Sequence, residues 1–317
     1  MILYISNAYP TPKSPDRGIF NKEQVDSVKK ELKSKHVKVI SVDNGFISYL
    51  VIFIRILFLN KKKYKIVHFH HGLTYIFFRL LFLRKTVYCS LQNQLKYEFL
   101  KSNKFKSSFL ISLLRFISFF KKDIFILKGK TENIGKNSFS LPNGVDLDFF
   151  KKISKSVSKK RQGLDKQKNY LLFASSKNPN RKQKRMDLFM KLFDDDEIKN
   201  KYTPLIASNL NRIELRDYIN AAEIVIVPSD YEGSSNIIKE SIACSAQLLI
   251  TKVGDYYNYK NLVGLSFCDK NNYINLIKSL KKHRFCDYDG HYEINKLKLS
   301  KEQVAKSLIN IYGLQIK

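Results

Sequence analysis

The sequence has no tryptophan, only four cysteines, and 28 acidic residues against 57 basic ones. Cys89, Cys244, Cys268 and Cys286 stand far apart. No two have metal-ligand spacing, and no disulfide framework is implied. This is the pattern of reduced thiols in a cytosolic protein. Long apolar runs are missing as well. The run at 46–59 is interrupted by Arg55 and the run at 109–120 by Arg115. Both fall short of the ~20 residues that a membrane-spanning helix needs. No secretory signal opens the chain, because Met1-Ile-Leu-Tyr-Ile5 reads as a strand. There is no Asp-x-Asp at a strand end, and no zinc or calcium ligand set. Residues 194–196, Asp-Asp-Asp, follow a helical pattern and read as a solvated turn. Zinc-finger, helix-turn-helix and aromatic RNA-binding signatures are also lacking, so nucleic acid is not an expected partner.

The shortage of acids leaves a net charge of +29. It is shared by both halves, +16 over 1–150 and +13 over the rest. Residues 61–122 hold 14 basic side chains and one acid, Glu98. Residues 151–184 hold 12 and one acid, Asp165. Such fields attract polyanions: nucleic acid, anionic lipid or phosphorylated ligands. Charge alone does not choose among them.

At 44% hydrophobic, the chain can bury real cores, and 317 residues suit two domains. Short β-branched runs alternate with helical patterns from end to end. Strands are expected at 2–6, 37–42, 65–69, 86–91, 123–127 and 138–141, with helices between them. The 46–59 helix is expected to be mostly buried. A polar, basic stretch at 151–168 reads as an interdomain linker plus a loop. Alternation then resumes, with strands at 170–174, 204–207, 223–227, 247–251 and 265–268. The fold class is therefore α/β, with two parallel sheets whose ligands bind at the carboxyl ends of the strands.

The most informative string is 228–244, PSDYEGSSNIIKESIAC. It leaves a strand and enters a helix. Gly233, Ser234 and Ser235 let backbone approach a ligand, and the helix start supplies free N–H groups and a positive dipole end. Glu232 sits in the loop and Glu240 about one turn into the helix. Carboxylates accept paired hydrogen bonds from vicinal hydroxyls, so one can hold a ribose and the other a hexose. A glycosidase acid–nucleophile pair is the other reading of two carboxylates. It fits less well, since a helix terminus suits an anion.

The whole string resembles the donor-site motif of the retaining family-4 glycosyltransferases, the group 1 type with the GT-B fold. Asp217-Tyr-Ile-Asn-Ala-Ala222 before it and Thr251-Lys-Val-Gly-Asp255 after it are similar to that family too. So are Val67-His-Phe-His-His-Gly72, Leu141-Pro-Asn-Gly-Val-Asp146, Tyr9-Pro10 with Gly18-Ile-Phe20, and Lys182-Gln-Lys-Arg-Met-Asp187.

The resemblance implies two Rossmann-like domains facing across a cleft. These would be an acceptor-side domain at 1–150, a nucleotide-sugar domain at 151–300, and a C-terminal helix at 301–317 packing back on the first. It implies transfer of a hexose, with retention, from a nucleotide sugar to a hydroxyl of a lipid-linked or polysaccharide acceptor. The product would be a surface glycan. No metal and no other cofactor is expected. Glu232 and Lys184 would be catalytic, and Gly18, Lys177, Arg181, Lys184, Gly233, Ser234, Ser235, Asn236, Ile237 and Glu240 would bind the donor. Gln92 stands where many members carry a histidine, so His70, His71 and Gln92 are the acceptor-side candidates. Lys177 or Arg181 would replace an arginine usual in the family. The basic charge points to an anionic membrane surface as partner, at the inner face of the cell membrane. A sugar-nucleotide epimerase on the same fold and a nucleic-acid-binding protein are the alternatives.

Overall fold

The computed structural model describes residues 1–12, 17–33, 36–42, 45–83, 85–91, 104–121, 123–129, 137–175 and 180–314. The chain divides into two compact units. One is Met1–Asn143 with Lys301–Lys317, the other Gly144–Ser300.

The first unit runs β1 (Ile2–Ser6), α1 (Ile19–Glu31), β2 (Val37–Ser41), α2 (Phe46–Leu57), β3 (Ile66–His70), α3 (Gly72–Phe78), β4 (Thr86–Leu91), α4 (Lys104–Lys121), β5 (Ile124–Leu127) and β6 (Ser138–Ser140). The strands pair in parallel in the order β2-β1-β3-β4-β5-β6. β1 and β3 are buried throughout, as expected of a parallel sheet covered on both faces. Period-2 alternation divides their side chains between two cores. Leu3, Ile5, Val67 and Phe69 pack with Ile52, Ile56, Tyr75 and Leu114 from α2, α3 and α4. Ile2, Tyr4 and Ile66 pack on the other face with Val25 and Val28 of α1. The C-terminal helix Lys301–Ile311 joins that second face through Val304, Leu308 and Ile309. Its end is tied down by polar groups as well. Tyr312 shares a 2.9 Å hydrogen bond with Tyr4 and another with His68 Nδ1, and His68 Nε2 reaches Ser90 at 2.7 Å.

α2 departs from the expectation of a mostly buried helix. Ile52 and Ile56 are buried, with Tyr49 and Phe53 packed beside them. Ile47, Leu50, Val51 and Ile54 are exposed. The reason is geometric: a helix that is apolar all round has two opposite stripes, and one sheet can cover only one of them.

In the second unit, α5 (Lys155–Arg161) precedes β7 (Tyr170–Ala174), α6 (Met186–Lys191), α7 (Asp196–Lys201), β8 (Thr203–Ala207), α8 (Arg212–Ala221), β9 (Ile224–Val227), α9 (Asn236–Ala243), β10 (Gln247–Thr251), β11 (Leu265–Cys268), α10 (Tyr273–Lys281) and α11 (Gly290–Lys296). Its sheet is parallel, in the order β11-β10-β9-β7-β8. The stretch 151–168 is not a bare linker, because α5 lies within it. Ser154 caps α5 by accepting from Val157 N. Lys159 is buried and donates to the Lys166 and Lys168 carbonyls at 3.2 and 2.7 Å. Nor is 194–196 a plain solvated turn. Asp195 caps α7, accepting from Ile198 N at 3.2 Å, and Lys281 pairs with it at 3.0 Å.

Candidate functional site

β8 lies on one side of β7 and β9 on the other. The strand order therefore reverses between β7 and β9, and in open α/β sheets ligands bind outside the carboxyl ends at such a point. The segment after β7 ends in a short 3-10 turn, Lys182–Lys184. The segment after β9 is the Pro228–Ser235 loop that feeds α9. These two segments meet. Lys184 Nζ donates to Glu232 Oε1 at 2.5 Å, and Ser229 Oγ donates to the same oxygen at 2.8 Å. Both charged side chains are largely shielded, 15% and 10% exposed. The backbone adds a contact, from Asp230 N–H to the Gln183 carbonyl at 2.9 Å.

Beneath the loop lies a polar network that sequence reasoning missed. Lys239 on α9 points inward and is fully buried. Its ammonium donates to Ser234 Oγ at 2.7 Å and to the Ser235 carbonyl at 2.8 Å, and it lies 3.6 Å from Asp255 Oδ2. Asp255 Oδ2 also accepts from Ser234 and Tyr259 hydroxyls, each at 2.8 Å. Burial pushes the Lys239 pKa down, against the pull of Asp255. Thr251 donates to the Ser229 carbonyl at 2.6 Å. Gly254 completes the support: a Cβ there would lie 2.6 Å from the Gly233 carbonyl oxygen, and its φ of +65° is left-handed. The two strings that flank β10 thus interlock.

The other expected donor residues divide into groups. The side chains of Ser234 and Ile237 face inward, one to Asp255 and the other into the apolar core. What they can offer a ligand is backbone N–H. Ser235 occupies the N-cap of α9 without a side-chain cap bond, and Asn236 and Glu240 are half-buried. Arg181 is exposed and donates to Gln183 Oε1 at 2.9 Å. Arg185, which the sequence did not single out, adopts φ 57° and forks between Asp187 and Asp230, 3.1 Å from the latter. Lys177 and Gln92 lie outside the described residues.

Three further candidates belong to the first unit. Gly18 has φ 63°, and a Cβ on it would come 2.1 Å from the Ala8 carbonyl oxygen. That oxygen also accepts from Asn21 Nδ2 at 2.8 Å, so glycine is demanded by the packing of the loop after β1 alone. His71 caps α3, its Nδ1 accepting from Leu73 N at 3.1 Å. His70 is fully buried at the end of β3, and neither ring nitrogen has a hydrogen-bond partner among the described residues. Burial, with Lys128 nearby, pushes its pKa down to about 3. Among the described residues no group of three or more His, Cys, Asp or Glu could hold a metal ion.

No family model matches the sequence, and no curated protein matches it significantly. Solved structures do match along the whole chain. Sucrose-phosphate synthase from Thermosynechococcus elongatus is 11% identical with a TM-score of 0.72, over 99% of this chain and 98% of that one. Anabaena HepE in complex with UDP and glucose is 12% identical with a TM-score of 0.71, over 98% and 99%. A glycosyltransferase from Rickettsia africae is 13% identical with a TM-score of 0.64, over 98% and 97%. At such identities the likeness concerns architecture, and the two parallel α/β units of this chain have the GT-B fold of these glycosyltransferases.

Proposed function

We propose that the protein is a retaining hexosyltransferase that moves a hexose from a nucleotide sugar to a hydroxyl of a lipid-linked or polysaccharide acceptor. The single observation that supports this best is the Lys184–Glu232 pair, held at 2.5 Å where the strand order reverses. HepE, which shares the fold, has been solved in complex with UDP and with UDP-glucose, and a uridine diphosphate sugar is the first donor to try. In this reading the backbone N–H groups at the start of α9 and the Lys184 ammonium take the diphosphate. Glu240 accepts from the ribose hydroxyls, and Glu232 holds Lys184 and the hexose. The bond between the anomeric carbon and the diphosphate oxygen breaks while the acceptor oxygen bonds to the same carbon from the same face. The acceptor proton passes to the departing phosphate. A preorganised ammonium and helix terminus stabilise the charge that develops on that phosphate.

The test is a thermal-shift screen with UDP, GDP and ADP sugars, followed by transfer assays. A donor at one hundred times its Kd stabilises the native state by about 2.7 kcal/mol. Glu240→Ala is expected to lose that stabilisation, Glu232→Ala to retain it with low turnover, and Lys184→Ala to weaken it. Full activity in Glu240→Ala would refute the assignment. Conversion of the donor's sugar without an acceptor would point instead to epimerase chemistry.

A further inference from the structure

α2, α3 and α4 form one layer over one face of the first unit's sheet, since their inward side chains share a single core. Their outward faces therefore look away from the sheet in the same direction. A soluble layer of this kind carries polar side chains outside. Here α2 turns Ile47, Leu50, Val51, Ile54 and Leu57 outward, and Phe58 follows at its end. Ile47 is 77% exposed and Phe58 87%. The stripe has helical spacing, with 47, 50, 51 and 54 on one side and 49, 52, 53 and 56 on the core side. It continues onto the next segment, where Phe77, Leu80 and Leu83 are exposed and the Phe77 ring lies 5.0 Å from Tyr49. α4, packed beside α3, adds Phe109 and Phe116 two turns apart, each more than 60% exposed. Exposed apolar side chains grouped on neighbouring helices of one layer mark an interaction face.

The polar residues around it select the partner. Arg55 and Arg115 stand within the exposed stripes, and Lys61–Lys63 form a turn just past Phe58. From Gly45 to Lys121 the only acidic residue is Glu98. Apolar side chains rimmed by cations, with no carboxylate among the described residues of these stripes, complement the acyl boundary and headgroups of an anionic bilayer. Among the described residues no helix is long and apolar enough to cross a membrane, which fits helices lying along the surface.

We propose that this layer is a membrane-docking face. The stripes of α2 and α4 and the Leu80–Leu83 turn insert into the headgroup–acyl boundary of an anionic bilayer, and Arg55, Lys61–Lys63 and Arg115 sit at its phosphates. The proposal is independent of the donor site and stands or falls without it. Electrostatic attraction alone is abolished by salt, whereas burial of apolar surface is not. The two contributions are therefore separable.

The experiment is flotation with phosphatidylcholine vesicles, with and without phosphatidylglycerol, at low and high salt. Wild type is expected to bind the anionic vesicles and to keep a measurable part of that binding in high salt. Leu50→Ser/Phe58→Ser removes two exposed apolar side chains. It should lower the partition coefficient by about tenfold or more and abolish the salt-resistant part. Phe109→Ser/Phe116→Ser should act likewise, while the Lys61→Gln/Lys62→Gln/Lys63→Gln variant should lose only the preference for phosphatidylglycerol. Melting temperature and donor-induced thermal shift, measured in each variant, are expected to stay at wild-type values because these side chains are exposed and far in sequence from the donor loop. Binding that vanishes entirely in high salt, or that is unchanged in both serine variants, overturns the proposal. So does a wild-type oligomer that the serine variants turn into monomers while no form binds vesicles, since the face would then be a contact between copies.

Discussion

Replacing Lys239 by methionine tests whether the Pro228–Ser235 loop is held from below. Methionine keeps nearly the length and volume of lysine, so little cavity forms, and what goes is the charge and three donors. The lost contacts are two hydrogen bonds, at 2.7 and 2.8 Å, and an ion pair at 3.6 Å. At an effective dielectric of about 20 the pair alone is worth about 4–5 kcal/mol of attraction. Part of this is offset, because burial of the ammonium is itself unfavourable, as the depressed Lys239 pKa records. Asp255 also keeps the Ser234 and Tyr259 hydroxyls. The net loss expected is about 3 kcal/mol, the low end for removing one partner of a buried pair. In a unit of this size that lowers the melting temperature by roughly 10 °C. Lys239→Met/Asp255→Asn removes both charges and should be more stable than the sum of the two single losses by at least about 1 kcal/mol. Urea unfolding of the three variants provides the cycle. Because Lys239 fixes Ser234 and Ser235, donor affinity should weaken about tenfold in Lys239→Met, at the scale of one lost charge-assisted contact. Strict additivity in the cycle, with unchanged donor affinity, would refute the reasoning.

Two further outcomes concern the first unit. Asp123 accepts from Arg79 Nη2 at 2.7 Å and from the Tyr75 hydroxyl at 2.7 Å, and both partners of the ion pair are buried. Asp123→Ala leaves the Arg79 guanidinium buried and unpaired and should cost about 3–5 kcal/mol, read as a lower urea midpoint with donor binding unchanged in the protein that remains folded. His70 titrates at about 3 in the native state and near 6.5 when unfolded. The unfolded chain therefore binds the extra proton first, and stability present above pH 6.5 is lost as pH falls toward 3. By about pH 5 the loss from His70 is about 2 kcal/mol. His68, also shifted down by burial, acts in the same direction. A His70→Gln variant whose stability falls between pH 7 and pH 5 (about the range in question) as steeply as wild type's would contradict this.

The sheets were largely legible from the sequence, because their strands are short apolar runs between turn residues. The expected bounds of β1, β4, β7, β10 and β11 match the structure residue for residue. α5 was hidden because its sequence, KSVSKKR, carries a single large apolar side chain. Its stability comes from a cap and from carbonyls that receive a buried lysine, and periodicity records neither. In the Pro228–Ser235 loop the sequence singles out Glu232, as it does Lys184 elsewhere, and the structure places the two side chains 2.5 Å apart. The support of that loop was not legible. Lys239 lies between Ile238 and Glu240 in a stretch where lysine ordinarily points to solvent, and only the fold reveals that Asp255, sixteen positions later, comes within 3.6 Å of it.

α2 shows a limit of a different kind. Its sequence, FISYLVIFIRIL, states that both stripes are apolar and therefore that neither belongs in water. Burial of most of its length is the economical expectation for a helix in an α/β layer. It requires something on both sides of the helix, and a sheet provides one. Ile52 and Ile56 met that sheet because the β1 and β3 side chains facing them, Leu3, Ile5, Val67 and Phe69, are themselves apolar. Nothing among the described residues covers Ile47 and Leu50 to the same degree. The pattern thus fixes how much surface must leave water, while the topology fixes which half the chain covers by itself. The remaining half is the part of the sequence signal that the fold leaves unused, and its basic surroundings connect it to the excess positive charge of residues 61–122.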